Sequence, residues 1–212
     1  MRLTKLTAIF LDRDGVINRE RRDYVKSWGE FQFLPNALGA LRQLAALSVP
    51  VLVITNQSAI GRGIVSQSEI DVIHRRMQQE VSAAGGRIDQ VFVCPHRPDE
   101  NCACRKPRPG LLLQALARYN LVAARTVFIG DSFTDLQAAQ AAGCRSMLVR
   151  SGLQGPGLAS LLANQPAVEL AIDLAAAVTS ILTDSNIKTT QPPPAPVEEG
   201  AAFDRLRPRM AE

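Results

Sequence analysis

Asp12 and Asp14 stand two residues apart in Asp12-Arg13-Asp14-Gly15-Val16, directly behind the apolar run Leu6-Thr7-Ala8-Ile9-Phe10-Leu11. That run reads as a buried strand, which puts both carboxylates at its C-terminal end. Open α/β sheets bind their ligands there. A carboxylate pair at such a place can hold a hard cation such as Mg²⁺ through oxygen. One of the two can also attack as a nucleophile while the other moves a proton. Asp and Gly are equally at home in a plain surface turn, so the motif needs support from the rest of the chain.

A second group stands on its own. Cys94-Pro95-His96 and Cys102-Ala103-Cys104 bring three thiols and an imidazole within eleven residues. Those four ligands suit tetrahedral Zn²⁺, and four protein ligands make a closed, structural site. The plain alternative is a reduced loop with an incidental histidine. Arg105-Lys106-Pro107 follows the last thiol at once, so zinc would stiffen the loop that carries both cations. Cys144 stands apart behind a glycine and reads as a small buried hydrophobe. His74, between Ile73 and Arg75, reads as surface or boundary.

Two further strand ends carry polar groups. Thr55-Asn56-Gln57-Ser58 leads to Gly61-Arg62-Gly63, and Gly130-Asp131-Ser132-Phe133-Thr134-Asp135 closes another apolar run. Together these groups suit phosphoryl transfer. A phosphate monoester repels an attacking carboxylate, and Mg²⁺ on Asp12 and Asp131 would offset that repulsion. Lys106 and Thr55 would grip the equatorial oxygens as charge spreads over them. Each piece alone could be a turn or a solvated lysine. Four of them in this order, each at a strand end, argue for a site.

The elements that must position these groups alternate in type. Strands are expected at Thr7–Leu11, Val51–Thr55, Gln90–Val93, Thr126–Gly130 and Ser146–Val149. Helices are expected over Asn36–Leu47, from Ser66 to Gly85, from Pro109 to Tyr119, over Asp135–Ala142, near Leu158–Ala163 and over Asp173–Leu182. Ser66-Gln67-Ser68-Glu69 has the capping-box pattern. Such alternation implies a parallel sheet covered by helices on both faces. Residues 1–184 are expected to form this domain. The proline-rich stretch 185–212 is expected to be a disordered tail, with a weak helical pattern near Ala201–Leu206.

Composition is that of a soluble globular chain, 46% hydrophobic and 21% charged. No apolar run approaches the ~18 residues of a membrane span. The first apolar stretch is too short for a signal peptide, so the cytoplasm is the expected compartment. The net charge is +4, and residues from Ser185 onward carry four basic and four acidic groups, so the excess belongs to the folded part. It suits an anionic substrate. Only 5% of residues are aromatic, which offers few stacking platforms for nucleic acid. The expected partner is a small anionic molecule, with no nucleic acid or membrane, bound by a monomer.

Over residues 6–152 the four motifs resemble those of the haloacid dehalogenase-like phosphatases. Within that class, Asp12-Arg13-Asp14-Gly15, Thr55-Asn56-Gln57-Ser58, the Cys94–Pro107 loop and Gly130-Asp131-Ser132 are similar to the D-glycero-D-manno-heptose 1,7-bisphosphate 7-phosphatases. The resemblance implies a three-layer, doubly wound, Rossmann-like sheet without a separate cap domain. It implies Asp12 as nucleophile and Asp14 as general acid/base. It implies Mg²⁺ on Asp12, the Asp14 carbonyl and Asp131, and Asp135 steadying Lys106 or the metal. It also implies removal of the 7-phosphate in the making of nucleotide-activated heptose for lipopolysaccharide core. Thr55, Asn56, Gln57, Ser58, Arg105 and Lys106 are expected to touch substrate. Asp23 and Tyr24 are the candidates in the loop that contacts the sugar. Arg105, with Arg62 near the mouth, is expected to read a second phosphate. Ser132 departs from members that carry lysine there and has no assigned role. Histidinol-phosphate phosphatases share the short zinc loop, but Ser58-Ala59-Ile60-Gly61-Arg62-Gly63 looks more like the heptose enzymes. Nucleic-acid 3′-phosphatases share the Thr-Asn-Gln pattern without the zinc loop. A zinc-stiffened binding module without turnover would have no need of the intact Asp12, Asp14, Thr55, Lys106 and Asp131.

Overall fold

The computed structural model describes residues 6–152 and 168–184. Its centre is a six-stranded sheet in the order β3-β2-β1-β4-β5-β6, and every pairing is parallel. The strands are β1 Ala8–Leu11, β2 Val51–Asn56, β3 Gln90–Cys94, β4 Thr126–Gly130, β5 Arg145–Val149 and β6 Glu169–Ala171. Five agree with the sequence expectation to within a residue or so. The three-residue β6 was not expected, because it is too short to show periodicity and lies at an edge beyond β5.

Parallel strands are covered on both faces, which is why β1, β2 and β4 are nearly continuous apolar runs. Alternate residues serve different layers. Ile9, Leu11, Val53 and Ile129 face one core, and Ala8, Phe10, Ile54 and Phe128 face the other. Helices α1 (Ala37–Ala45), α3 (Gln67–Ala83) and α6 (Leu174–Asp184) cover the first face. Helices α4 (Gly110–Arg118) and α5 (Phe133–Ala141) cover the second. The short α2 (Ser58–Gly61) follows β2 directly. The result is the expected three-layer α/β sandwich. Truncating Phe10, fully buried at its centre, would cost about 3–5 kcal/mol.

The expected capping box opens α3: Glu69 N donates to Ser66 Oγ at 3.2 Å and Ser66 N donates to Glu69 Oε2 at 2.9 Å. Gly85 ends that helix at φ +79°, a conformation that glycine reaches without a Cβ penalty. The expected helix near Leu158–Ala163 and the tail 185–212 lie outside the described residues.

The chain leaves β1 toward β2 on one side and reaches β4 on the other. Strand order therefore reverses at β1, which opens a crevice at its C-terminal end. The long β1–α1 segment folds over that crevice. Its aromatic residues Trp28, Phe31 and Phe33 pack on one another, with centroids 4.9 Å apart for Trp28–Phe31 and 5.0 Å for Phe31–Phe33. They anchor the loop that carries Glu20 to Tyr24.

Candidate active site

A cavity of about 290 Å³ sits at the crevice, walled by Asp12, Asp14, Thr55, Asn56, Gln57, Ser58, Arg105, Lys106 and Asp131. Asp12 is fixed between strands: its N–H donates to Ile129 O at 2.9 Å. Lys106 arrives from the loop before α4 and is buried. Its Nζ lies 2.9 Å from Asp12 Oδ1 and 2.7 Å from Asp135 Oδ1, and it donates to Ile54 O at 3.0 Å. Asn56 clamps the Lys106 main chain from both sides, accepting from its N and donating to its O, each at 3.2 Å. Burial pulls the Lys106 ammonium toward neutrality, but the Asp12 and Asp135 carboxylates override it and hold the proton on.

The two aspartates of the first motif live in opposite fields. Burial pushes the Asp12 carboxyl up to about 7; Lys106 opposes this while Asp135 and Asp14 add to it. Burial also pushes on Asp14, but the Arg13 guanidinium and hydrogen bonds override it and hold Asp14 below its ordinary value. Arg13 Nη2 donates to both Asp14 oxygens at 3.0 and 2.8 Å. Asn18 Nδ2 donates to Oδ1 at 2.8 Å and Gln57 Nε2 to Oδ2 at 2.8 Å. Gln57 also donates to Thr55 Oγ1 at 3.0 Å, which ties the β2 loop to the β1 loop.

Asp131 ends β4. Burial, then the charges of Asp135, Asp12 and Glu20, push it up to about 9. Clustered buried carboxylates of this kind call for a cation. One oxygen each from Asp12, Asp131 and Asp135 lies within 4.8 Å of the others. A Cβ on Gly15 or Gly152 would strike the Asp131 carboxylate, so glycine at both places leaves it room. Oxygen donors packed this way fit Mg²⁺. The Asp14 side chain is engaged elsewhere, so any metal contact of Asp14 falls to its main-chain carbonyl. Asp135 is also engaged. Its Oδ2 accepts from Asp131 N at 3.2 Å, Ser132 N at 3.1 Å and Ser132 Oγ at 2.6 Å. Ser132 caps α5, which gives a structural place to a residue with no assigned role.

The sulfur group converges as its spacing implies. Cys94 Sγ lies 3.6 Å from both His96 Nδ1 and Cys102 Sγ, and Cys104 Sγ lies 3.2–3.3 Å from all three. All four ligand atoms fall within 4.8 Å of one another, and none of the cysteines is in a disulfide. Tetrahedral bonds of ~2.3 Å separate ligands by a little under 4 Å, so the set fits zinc.

Other expectations need adjustment. Tyr24 lines the cavity at φ 67°. Asp23 does not. It is exposed, paired with Arg21 at 2.9 Å and Lys26 at 2.8 Å, and its neighbours Glu20, Arg21 and Arg22 form the wall instead. Arg62 is exposed and outside the cavity lining. Arg105 lines the cavity and donates to His96 O at 3.3 Å. His74 is a correction: it is 5% exposed, not a surface residue. Ile70, His74, Met77 and Val81 share the i, i+4, i+7, i+11 stripe, which is the signal that would have placed it inside.

A carboxylate pair, hydroxyl, lysine and aspartate converging on one crevice of a doubly wound sheet define a haloacid dehalogenase-like phosphatase, a phosphoric monoester hydrolase. The HAD-hydrolase-like family model matches residues 103–177. The D-glycero-β-D-manno-heptose-1,7-bisphosphate 7-phosphatase of Bordetella bronchiseptica is 42% identical over 147 residues, 69% of this chain and 82% of the relative. The α-anomer enzyme of Mycobacterium tuberculosis is 42% identical over 155 residues, 70% and 82% of the two chains. The crystal structure of D,D-heptose 1,7-bisphosphate phosphatase from B. bronchiseptica with magnesium and phosphate superposes with a TM-score of 0.81 at 37% identity, covering 85% of this chain and all of that one. This chain therefore belongs to the D-glycero-D-manno-heptose-1,7-bisphosphate 7-phosphatase family.

Proposed function

We propose that this chain removes the 7-phosphate from D-glycero-D-manno-heptose 1,7-bisphosphate through an aspartyl-phosphate on Asp12, on the route to nucleotide-activated heptose. The observation that carries the reading is Lys106, locked between Asp12 and the Asp131–Asp135 turn at the mouth of the crevice. Asp12 attacks the phosphorus. Lys106 and Thr55 hold the equatorial oxygens as charge spreads over them. Asp14, two residues on, is held ionised in the free protein by Arg13; it takes up a proton as the dianionic phosphate binds, gives that proton to the departing sugar oxygen and later takes one back from the water that releases phosphate. Asp12, Asp131 and the Asp14 carbonyl would hold Mg²⁺, whose chemistry is to neutralise the charge between nucleophile and phosphate. Cys94, His96, Cys102 and Cys104 would hold Zn²⁺ as a structural clip. Asn56 positions Lys106, while Gln57, Ser58, Tyr24 and Arg105, which line the cavity, would meet the sugar.

Arg105 favours a bisphosphate, since a guanidinium suits a second, non-reacting phosphate and histidinol phosphate has none. One relative named for each anomer is 42% identical to this chain, so the anomer is a question for kinetics. The proposed setting is a cytoplasmic monomer acting on a small molecule. No described helix is long and apolar enough to cross a membrane. The test is kcat/KM with Mg²⁺ for both heptose bisphosphate anomers beside histidinol phosphate. A preference for either anomer by tenfold or more supports the reading. Preference for histidinol phosphate overturns it.

A further inference from the structure

His74 is a buried titratable side chain that the reaction above does not use. It sits on α3, within the layer that covers the first face of the sheet. Its Nε2 lies 3.0 Å from Arg13 Nη1. A guanidinium can only donate, so Nε2 is the acceptor and the ring proton sits on Nδ1. Burial, with the Arg13 charge behind it, pulls His74 down to about 3, in keeping with a neutral ring.

Arg13 is 1% exposed, a full charge inside the protein. Such a group must be held by its partners. Its Nε has no partner among the described residues. Nη2 bonds both oxygens of Asp14, and Nη1 bonds His74. His74 is thus the anchor that holds the guanidinium independently of the acid. The geometry is also unusual in its division of labour. A guanidinium ordinarily meets a carboxylate with two nitrogens, and here Nη2 alone meets both oxygens while Nη1 is given to His74. Without an acceptor at 74, Nη1 would be left buried and unpaired. Rotation onto Asp14 as a two-nitrogen fork is the natural relief, and it would re-aim the carboxylate.

We infer that His74 is a positioning residue for the acid–base step: it sets the rotation of Arg13, and Arg13 sets the aim of Asp14 at the leaving oxygen. This rests on Asp14 as the acid of the proposed reaction. The placement on one stripe with Ile70 and Met77 does not by itself require a histidine. The acceptor facing Arg13 does.

The test compares leaving groups, because a loosened core lowers all rates alike while a misaimed acid harms only substrates that need protonation. His74→Phe removes the acceptor at similar volume, and His74→Gln restores one on a flexible arm. For each, kcat/KM is measured on heptose bisphosphate and glycerol 3-phosphate, which have poor leaving groups, and on p-nitrophenyl phosphate, which has a good one. Far-UV circular dichroism and Tm report the fold. The expected result is a roughly tenfold or greater loss on the alkyl phosphates in His74→Phe, under about twofold on p-nitrophenyl phosphate, and substantial recovery in His74→Gln. Equal losses on all three substrates, or folded His74→Gln no better than His74→Phe, would overturn the inference. If His74→Phe does not fold, Arg13→Lys carries the same comparison, since a point charge cannot hold both partners. Its selective loss supports the inference and an even loss overturns it. A wild type idle on the bisphosphate but active on glycerol 3-phosphate would sink the substrate proposal alone, leaving the His74 comparison intact.

Discussion

The sulfur cluster and the oxygen cluster of this protein are built by opposite means. Cys94, His96, Cys102 and Cys104 all come from the end of β3 and the loop behind it, and they meet through a local fold-back. Asp12, Asp131 and Asp135 come from the ends of β1 and β4 and the first turn of α5, and they meet only when the sheet is complete. The difference extends to the two cations that stand side by side in sequence. Lys106 is held from the oxygen side, by Asp12, Asp135, Ile54 O and Asn56. Arg105 is held from the sulfur side, through His96 O. The segment after β2 braces the sulfur loop through main-chain bonds, Gln57 N to Cys94 O at 2.8 Å and Gly61 N to Pro95 O at 2.9 Å. In the proposed reaction, turnover and selectivity therefore have separate supports: the oxygen cluster would serve the phosphoryl group and the sulfur loop the rest of the substrate.

The harshest way to probe the oxygen side is Asp12→Asn. It keeps the side-chain volume and removes the nucleophilic charge, so turnover should fall by roughly four orders of magnitude or more while circular dichroism stays native. Substantial residual activity would rule out the covalent route. Asp14→Asn comes next, with a loss of about 10²–10⁴ on the sugar substrate. A phosphate ester with a good leaving group should be partly spared, and an equal loss on both would remove Asp14 from the acid role.

On the sulfur side, Arg105→Ala should erode the preference for heptose bisphosphate over heptose 7-phosphate by about 1–3 kcal/mol, read as the ratio of the two kcat/KM values. An unchanged ratio would mean that Arg105 does not read the second phosphate. Cys102→Ser should have the smallest effect on turnover. One Zn²⁺ per chain should copurify with the wild type and be depleted in the variant. Because Lys106 keeps its own anchors, hydrolysis of a simple phosphomonoester should change by only about twofold. The bisphosphate preference should fall, but by no more than in Arg105→Ala. A collapse of all activity in Cys102→Ser would erase the separation between the two regions, and metal analysis without zinc in protein prepared free of chelators would reject the site.

Most of the strands were legible because parallel strands covered on both faces must be apolar without a break, as Ala8–Leu11 and Thr126–Gly130 are. The convergence of Cys94, His96, Cys102 and Cys104 was legible because the four are close in sequence, so spacing alone limits their geometry. Asp12, Thr55 and Asp131 were legible as strand-end residues, since the alternation of strands and helices sends those ends to one edge of the sheet, and Lys106 as the close of the loop that follows the third strand.

Other features needed the fold. β6 is three residues long, too short for periodicity to reveal. Asp23, expected in the loop that contacts the sugar, lies outside the cavity lining and pairs with Arg21 and Lys26, which sequence could not show. His74 read as surface or boundary because neighbouring charge outweighed its place on the Ile70–Met77 stripe. Residue types and spacing therefore determined the chemistry available to this chain and the layers that would carry it. The tertiary structure alone decided the field around each group, because burial and neighbours from distant strands push Asp12 up and hold Asp14 down although the two are identical residues two positions apart.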